Sequence, residues 1–373
     1  MKALVRLIIV MMIVACRDQY SLPAETRDLK LLVVEGSLNS HSTPTMVRLS
    51  RTLNPTDVGT FVAERGARVV VEGENSTTSV LTGNNSGEYT NAQLNLNINQ
   101  KYRLRINTTD GKEYLSDFVP VLSSPAIDSV HWKRIDDEVQ LFVSTHDPQN
   151  KTWYYRWEFD ETWEIHSYFI SNFQYIDPLV VPRTDPFSIY FCWKSDISKA
   201  ILLHSSAKFT QDLITGQLLH KIPVGNEKIS VRYSILVKQY ALTREAYQFW
   251  ETMKKNTEQL GTLFDPQPSQ LLSNIHCVND PDDPVIGYVS AGAYSEKRIF
   301  IRENEVSPWP YRRFCPDRIV PLDSLRFFFG SKAWIPLEES YNQMSGRLEG
   351  YTAGPRTCVD CTTGGSPVKP AFW

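Results

Sequence analysis

Apolar and polar residues alternate with a period of two along much of this chain, so its regular elements are expected to be strands. The clearest stretch is 102–106, where Tyr102, Leu104 and Ile106 alternate with Arg103 and Arg105. Asp110-Gly111 then supplies a tight hairpin turn before Tyr114. Residues 31–36 form a buried-strand run, and 47–49 and 67–71 follow at strand length. Short strands punctuated by Gly, Asn and Asp predict a β-sandwich domain over 30–122. Ser123-Ser124-Pro125 marks the boundary, and a second β-rich domain is expected over 126–373. There Val139, Leu141 and Val143 alternate again, and 153–159 is strongly β-prone. Further strands are expected over 229–237, near Tyr288 and over 298–301.

One stretch has helical spacing, near 243–260. Thr243 is a good N-cap and Glu245 sits in the first turn, where a negative charge meets the positive end of the helix dipole. Ala246, Trp250, Met253, Thr257 and Leu260 share one face, expected to be core, and Gly261 supplies the stop. Asp265-Pro266-Gln267-Pro268 reads as a rigid extended loop. From Glu303 onward proline and polar residues dominate, and 350–370 reads as a loop or a covering strap. The expected fold class is mainly β. It comprises two β-sandwich (immunoglobulin/fibronectin-like) domains, the second elaborated with one α-helix and a long C-terminal loop region.

The N-terminus departs from the strand pattern. Lys2 and Arg6 precede an apolar run over 7–14, far short of the ~20 residues that a membrane-spanning helix needs. Positive charge followed by a short apolar run predicts a signal peptide over 1–15. Ile13-Val14-Ala15-Cys16 resembles the bacterial lipobox, where a small residue precedes the cysteine whose thiol is acylated. Cys16 is therefore the expected lipidation site, and 16–29 a lipidated tether. Two or more acyl chains anchor stably where a single one does not. Such a protein is exported from the cytoplasm, and its remaining cysteines are free to form disulfides.

Composition narrows the classes further. Hydrophobic residues are 42% and charged residues 22%, which fits a globular chain rather than a disordered one. The 39 Lys+Arg against 42 Asp+Glu leave a net charge of −3, no footprint for nucleic acid. The aromatic content of 12% suits strands with large side chains on pleated surfaces.

No candidate for chemistry stands out. Besides Cys16 there are Cys192, Cys277, Cys315, Cys358 and Cys361. An odd number leaves at least one thiol over; Cys277, Cys315, Cys358 and Cys361 are the disulfide candidates, and the state of Cys192 is open. Cys358-Val359-Asp360-Cys361 also has the spacing of half a zinc site, with His276-Cys277 as the other half, or of a redox pair. Gly and Pro surround it, however, and a disulfide is the favoured reading. Asn279-Asp280-Pro281-Asp282-Asp283 clusters oxygens but lacks the Gly and Glu of an EF-hand loop, so a solvated turn is expected. No GxSxG, P-loop or GxGxxG occurs in a strand–helix context, so the chain is expected to be non-catalytic, with no metal and no cofactor. A hydrolase built on dispersed carboxylates is the enzymatic alternative. Within 153–163, Trp153, Trp157 and Trp163 are the candidate ligand-binding aromatics for sugars or peptides, although alternation places Trp153, Tyr155, Trp157 and Phe159 on one core-forming face.

Four stretches carry a family resemblance: Cys16-Arg17-Asp18 leading to Leu32-Val33-Val34-Glu35-Gly36; 102–117 followed by Pro125-Ala126-Ile127-Asp128-Ser129-Val130; 261–268 after the helix; and the end, 358–361 through 369–373. On these the chain resembles domain-of-unknown-function family 4249, a group of Bacteroidota lipoproteins. The resemblance implies a lipid-anchored outer-membrane protein, on the cell-surface or the periplasmic face, beside a TonB-dependent transporter. Its expected role is accessory, in substrate capture or uptake; the alternative is a stand-alone surface glycan- or peptide-binding lipoprotein. It brings no catalytic residues with it. Cys16→Ala is expected to move the protein from the membrane pellet to the soluble fraction, and fractionation of cells expressing the variant checks this.

Overall fold

The computed structural model describes residues 30–40, 44–53, 61–258 and 273–373. Cys16, Leu260 and the 261–268 stretch lie outside these residues. The chain is mainly β, with two β-sandwich lobes.

The first lobe is a single sheet path wrapped on itself. From one end it runs Val285–Gly287, Leu32–Gly36, Thr45–Arg51, Glu88–Asn91, Thr78–Gly83 and Arg68–Gly73. It continues through Lys101–Asn107, Val119–Ser123 and Ala291–Ala293 to Leu38–Asn39. The two ends of this path are chain continuations of each other's neighbours. Leu32–Gly36 runs on into Leu38–Asn39, and Val285–Gly287 runs on into Ala291–Ala293. The two continuous segments pair in parallel, Leu32 opposite Val285 and Leu38 opposite Ala291. Each crosses from one sheet to the other at a glycine. Gly36 has φ +129° and Gly287 φ +143°, and a Cβ on either would stand 2.4 or 2.3 Å from a carbonyl oxygen, of Met46 and Val34 respectively. Alternation fills the interior as expected: Tyr102, Leu104 and Ile106 are buried with Leu32, Leu49 and Tyr114. The Asp110-Gly111 hairpin forms, with Gly111 at φ +85°.

The division expected at 30–122 and 126–373 therefore differs from the lobes. Residues 275–293 return to the first lobe, where Ile275–Cys277 also pairs with Glu113–Ser116 and Ile275, Cys277, Val285, Val289 and Ala291 join its core. These strands have three residues each, too few to carry a period, and their partners lie far away in sequence.

In the second lobe a three-stranded sheet, Ile127–Ile135, Glu138–His146 and Leu213–Pro223, faces a larger one. The larger sheet orders Phe191–Ile197, Tyr154–His166, Arg232–Ala241 and Ser295–Arg302, with Leu202–Ser205 also on Tyr154–His166. Val139, Leu141 and Val143 meet Tyr155, Trp157, Phe159, Tyr233, Ile235 and Val237 between them. Glu161 and Asp212 are carboxylates buried in this lobe, each 3% exposed. Glu161 accepts hydrogen bonds from Lys228 Nζ and, at 2.5 Å, from the Tyr233 hydroxyl, with His220 Nε2 at 3.2 Å. Burial opposes its charge, but these partners hold the carboxyl down at about 2. A buried charge so paired is costly to expose by removing one member.

The long helix is Arg244–Glu258; Thr243 caps it, accepting from the Ala246 N–H at 3.2 Å. Short helices occur at Glu303–Val306, Leu325–Gly330 and Arg356–Val359. The region expected to be loop carries a three-stranded antiparallel sheet, Arg318–Pro321, Leu348–Pro355 and Trp334–Tyr341. Its small core of Val320, Phe329, Tyr351 and Ala353 is shared with the hairpin Phe173–Ile176/Leu179–Pro182 through Phe173, Tyr175 and Val180. The final residues form a strap: Ser366 bridges Trp193, and Trp373 Nε1 donates to Glu164 Oε2 at 3.1 Å.

Three outcomes are expected. Residues 30–123 expressed alone remain unfolded by far-ultraviolet circular dichroism, and Gly287→Ala destabilises the full chain by about 3 kcal/mol in denaturant melts. For Glu161, the depressed pKa stabilises the fold above the ordinary carboxylate range, and this is lost as pH falls from about 4.5 to about 2. Glu161→Gln should lower stability at neutral pH and flatten that acid limb of the melting-temperature profile.

Candidate functional site

The aromatic stretch 153–163 does not present its rings to a ligand. Trp157 is fully buried and donates through Nε1 to Gln239 Oε1 at 2.9 Å. Trp163 is also in the core, with the Lys228 ammonium over its ring. Trp153 is half-buried ahead of the strand, its carbonyl accepting from the Ser206 N–H. Of the three candidates, two are thus removed from any ligand. The reason is period two: Trp157 points inward with Tyr155 and Phe159, so Arg156 and Glu158 point outward.

The disulfides are Cys192–Cys361 and Cys315–Cys358. The paired residues of the CxxC thus go to different partners. One partner is Cys192 on the larger sheet, the other Cys315 in the chain before the C-terminal strands. Cys277 corrects the expectation: it is a free, buried thiol in the first lobe's core. His276, next to it on the strand, points outward, 3.7 Å from Asp117, so the two do not form half of one metal site. In the 279–283 turn, Lys112 places its ammonium 2.8 Å from Asp283, and Asn279 accepts from the Glu113 N–H at 2.7 Å.

What the tertiary structure does assemble is a cleft of about 950 Å³ between the lobes, near the top of the ~300–1,000 Å³ common for ligand sites. Its floor is the outward face of the larger sheet. Pairing puts Arg156 opposite Tyr240 and Glu158 opposite Lys238. One wall is the long helix, with Phe249, Trp250 and Met253. The facing wall is the first lobe, with Val33, Glu35 and Met46. The return segment adds Tyr288 and Tyr294.

Trp250 and Met253, expected to be core, are therefore half-buried and line the cleft; Ala246 and Phe249 are the buried helix residues. The helix packs over the polar outer face of a sheet, so its apolar stripe meets charged groups. The Arg156 guanidinium lies 4.2 Å from the Trp250 ring centroid and 4.8 Å from that of Tyr240, a cation–π arrangement that fixes both rings. Arg156 Nη1 is 2.9 Å from Glu158 Oε1, and the Tyr240 hydroxyl donates to Glu158 Oε2 at 3.0 Å. Burial, and then the Glu158 charge, push the Tyr240 phenol well above its ordinary value, so it stays a donor. Lys238 reaches Asp160 at 2.6 Å. Arg156 Nε is buried without a hydrogen-bond partner. This arrangement offers flat apolar surface and fixed charge of both signs, which suits binding. The outward residues of an otherwise core-like strand were its only signal in sequence.

The family model described as "Domain of unknown function (DUF4249)" matches residues 17–298. No curated protein matches the chain. Among solved structures, a two-domain fibronectin type III segment of chicken tenascin is 12% identical, with 56% of this chain and 90% of that one covered, at a TM-score of 0.16. A structure titled as a putative carbohydrate binding protein from Bacteroides uniformis is 11% identical, with 58% and 92% covered, at a TM-score of 0.16.

The cysteine pattern has a direct check. Iodoacetamide added to denatured, unreduced protein is expected to label Cys277 and to spare Cys192, Cys315, Cys358 and Cys361. Replacing both Cys192 and Cys361 by Ser should cost about 2–5 kcal/mol of stability in denaturant melts.

Proposed function

Starting from the chain's membership of the DUF4249 family, to which it belongs, we propose that it is a lipid-anchored accessory protein of a TonB-dependent outer-membrane transporter. It captures a substrate in the interdomain cleft and acts without chemistry of its own. The observation that carries this reading is the cleft, built jointly by both lobes and lined with aromatic rings and paired charges. Sites between lobes are common places for ligands, because two separately folded surfaces meet there without filling the space between them. A binding role is supported by the state of Glu158, the carboxylate on the cleft floor. It is engaged by Arg156 and by the Tyr240 hydroxyl, which orient it as an acceptor. Anchoring follows from the lipobox-like 13–16 segment, with Cys16 as the acylated residue. The transporter as partner rests on what the family resemblance implies, the family model matching residues 17–298.

Purification of the tagged, full-length protein from detergent-solubilised outer membranes tests the partnership. A TonB-dependent receptor is expected in stoichiometric amount. Recovery of the lipoprotein alone, under conditions that keep other receptor complexes intact, would favour the stand-alone surface binder instead.

A further inference from the structure

The outward face of the larger sheet repeats one device along its length. At the helix end, Arg156 stacks on Tyr240 and Trp250. At the other end Arg232 lies over Phe300 and Trp373, and Arg298 sits 3.5 Å from the ring centroid of Phe372. The second set holds the rings of Phe372 and Trp373 at the end of the strap, where the chain turns and the Trp373 N–H donates to the Pro370 carbonyl at 3.0 Å. One half of the face is thus already occupied by peptide, bound through aromatic side chains over guanidinium groups. The cleft is the other half: there the chain's own helix supplies Trp250 as the ring over Arg156, and the space between the helix and the first lobe stays open among the described residues.

Three features of the cleft separate peptide from sugar as its occupant. Sugars stack on free ring faces, but the guanidinium of Arg156 already covers a face of both Trp250 and Tyr240. Charges of both signs line the cleft: Lys199 and, on the floor, Lys238 against Glu35 and Glu258. A neutral glycan has no charge to match them, whereas a mixed peptide does. The walls also carry Met253 and Met46, the latter 48% exposed. Methionine is flexible and polarizable, and it accommodates varied apolar side chains. We propose that the cleft binds oligopeptides with aromatic or aliphatic side chains and charged residues of either sign, seated between Trp250 and Met253 of the helix and the facing wall of the first lobe. This deepens the binding role given above and rests on it.

The test passes a tryptic digest of serum albumin, and separately a mixture of maltohexaose and xylohexaose, over the immobilised full-length protein. Peptides rich in aromatic and aliphatic residues are expected to be retained and the hexaoses to flow through. Trp250→Ala and Met253→Glu should each reduce peptide retention at least tenfold, while Phe314→Ala, a remote and 90% exposed residue, leaves it unchanged. Melting curves identify any variant that fails to fold. Met253→Glu, at a half-buried rim position, keeps the test decisive if Trp250→Ala is unstable. Retention of the hexaoses with loss on Trp250→Ala would overturn the peptide assignment. So would peptide retention that neither cleft variant reduces, or no retention of either probe. A transporter that copurifies while no peptide binds removes this inference and leaves the accessory role standing; peptide binding without a transporter does the reverse.

Discussion

The parallel pairing of 32–39 with 285–293 is the contact on which the rest of the architecture depends. It closes the first lobe, because each segment crosses between the two sheets at a glycine and so gives both sheets a neighbour. Without the returning strands, Val119–Ser123 and Leu32–Gly36 would each present a free edge, and the buried faces of Val34 and Val121 would lose their cover. The pairing also obliges the chain to leave the second lobe, run along the helix and come back. The two lobes are therefore joined by adjacent crossings rather than by one linker. Ser124 N–H donates to the Ala293 carbonyl at 2.9 Å, and Ser295 Oγ and Gln239 Nε2 both donate to the Pro125 carbonyl.

That junction sets the cleft. The return segment brings Tyr288 and Tyr294 to its edge, and the helix that precedes it lies across the outer face of the larger sheet. An outward sheet face usually meets water. Here it meets a helix stripe on one side and a strap on the other, and guanidinium groups mediate both contacts. A guanidinium suits this position because it stacks on rings with its flat faces while its edge still pairs with carboxylates. Arg156 does both, with Trp250 and Tyr240 on one hand and Glu158 on the other. Arg232 and Arg298 stack in the same way under Trp373 and Phe372, and Arg298 donates its edge to the Ser234 hydroxyl at 2.9 Å. The C-terminal region is held by covalent means as well. Cys192–Cys361 ties the strap to the larger sheet, and Cys315–Cys358 ties the chain before the small sheet to the helix after it.

From sequence alone follow the strands over 31–36, 47–49, 67–71, 102–106, 139–143 and 153–159, the Asp110-Gly111 hairpin, the Thr243-capped helix and the inward placement of Tyr155, Trp157 and Phe159. Each is a local matter: period two, a turn dipeptide and a cap are all settled within a few residues. Tertiary structure alone decided the closure of the first lobe, since three-residue strands carry no period and pair with a segment some 250 residues away in the chain. It decided the cysteine partners for the same reason, sending Cys358 and Cys361 to different places despite their shared motif. It also decided which aromatics face a ligand. The spacing of Trp250 and Met253 shows an apolar stripe on a helix, but whether that stripe is core depends on what lies opposite, and what lies opposite is the charged face of a sheet.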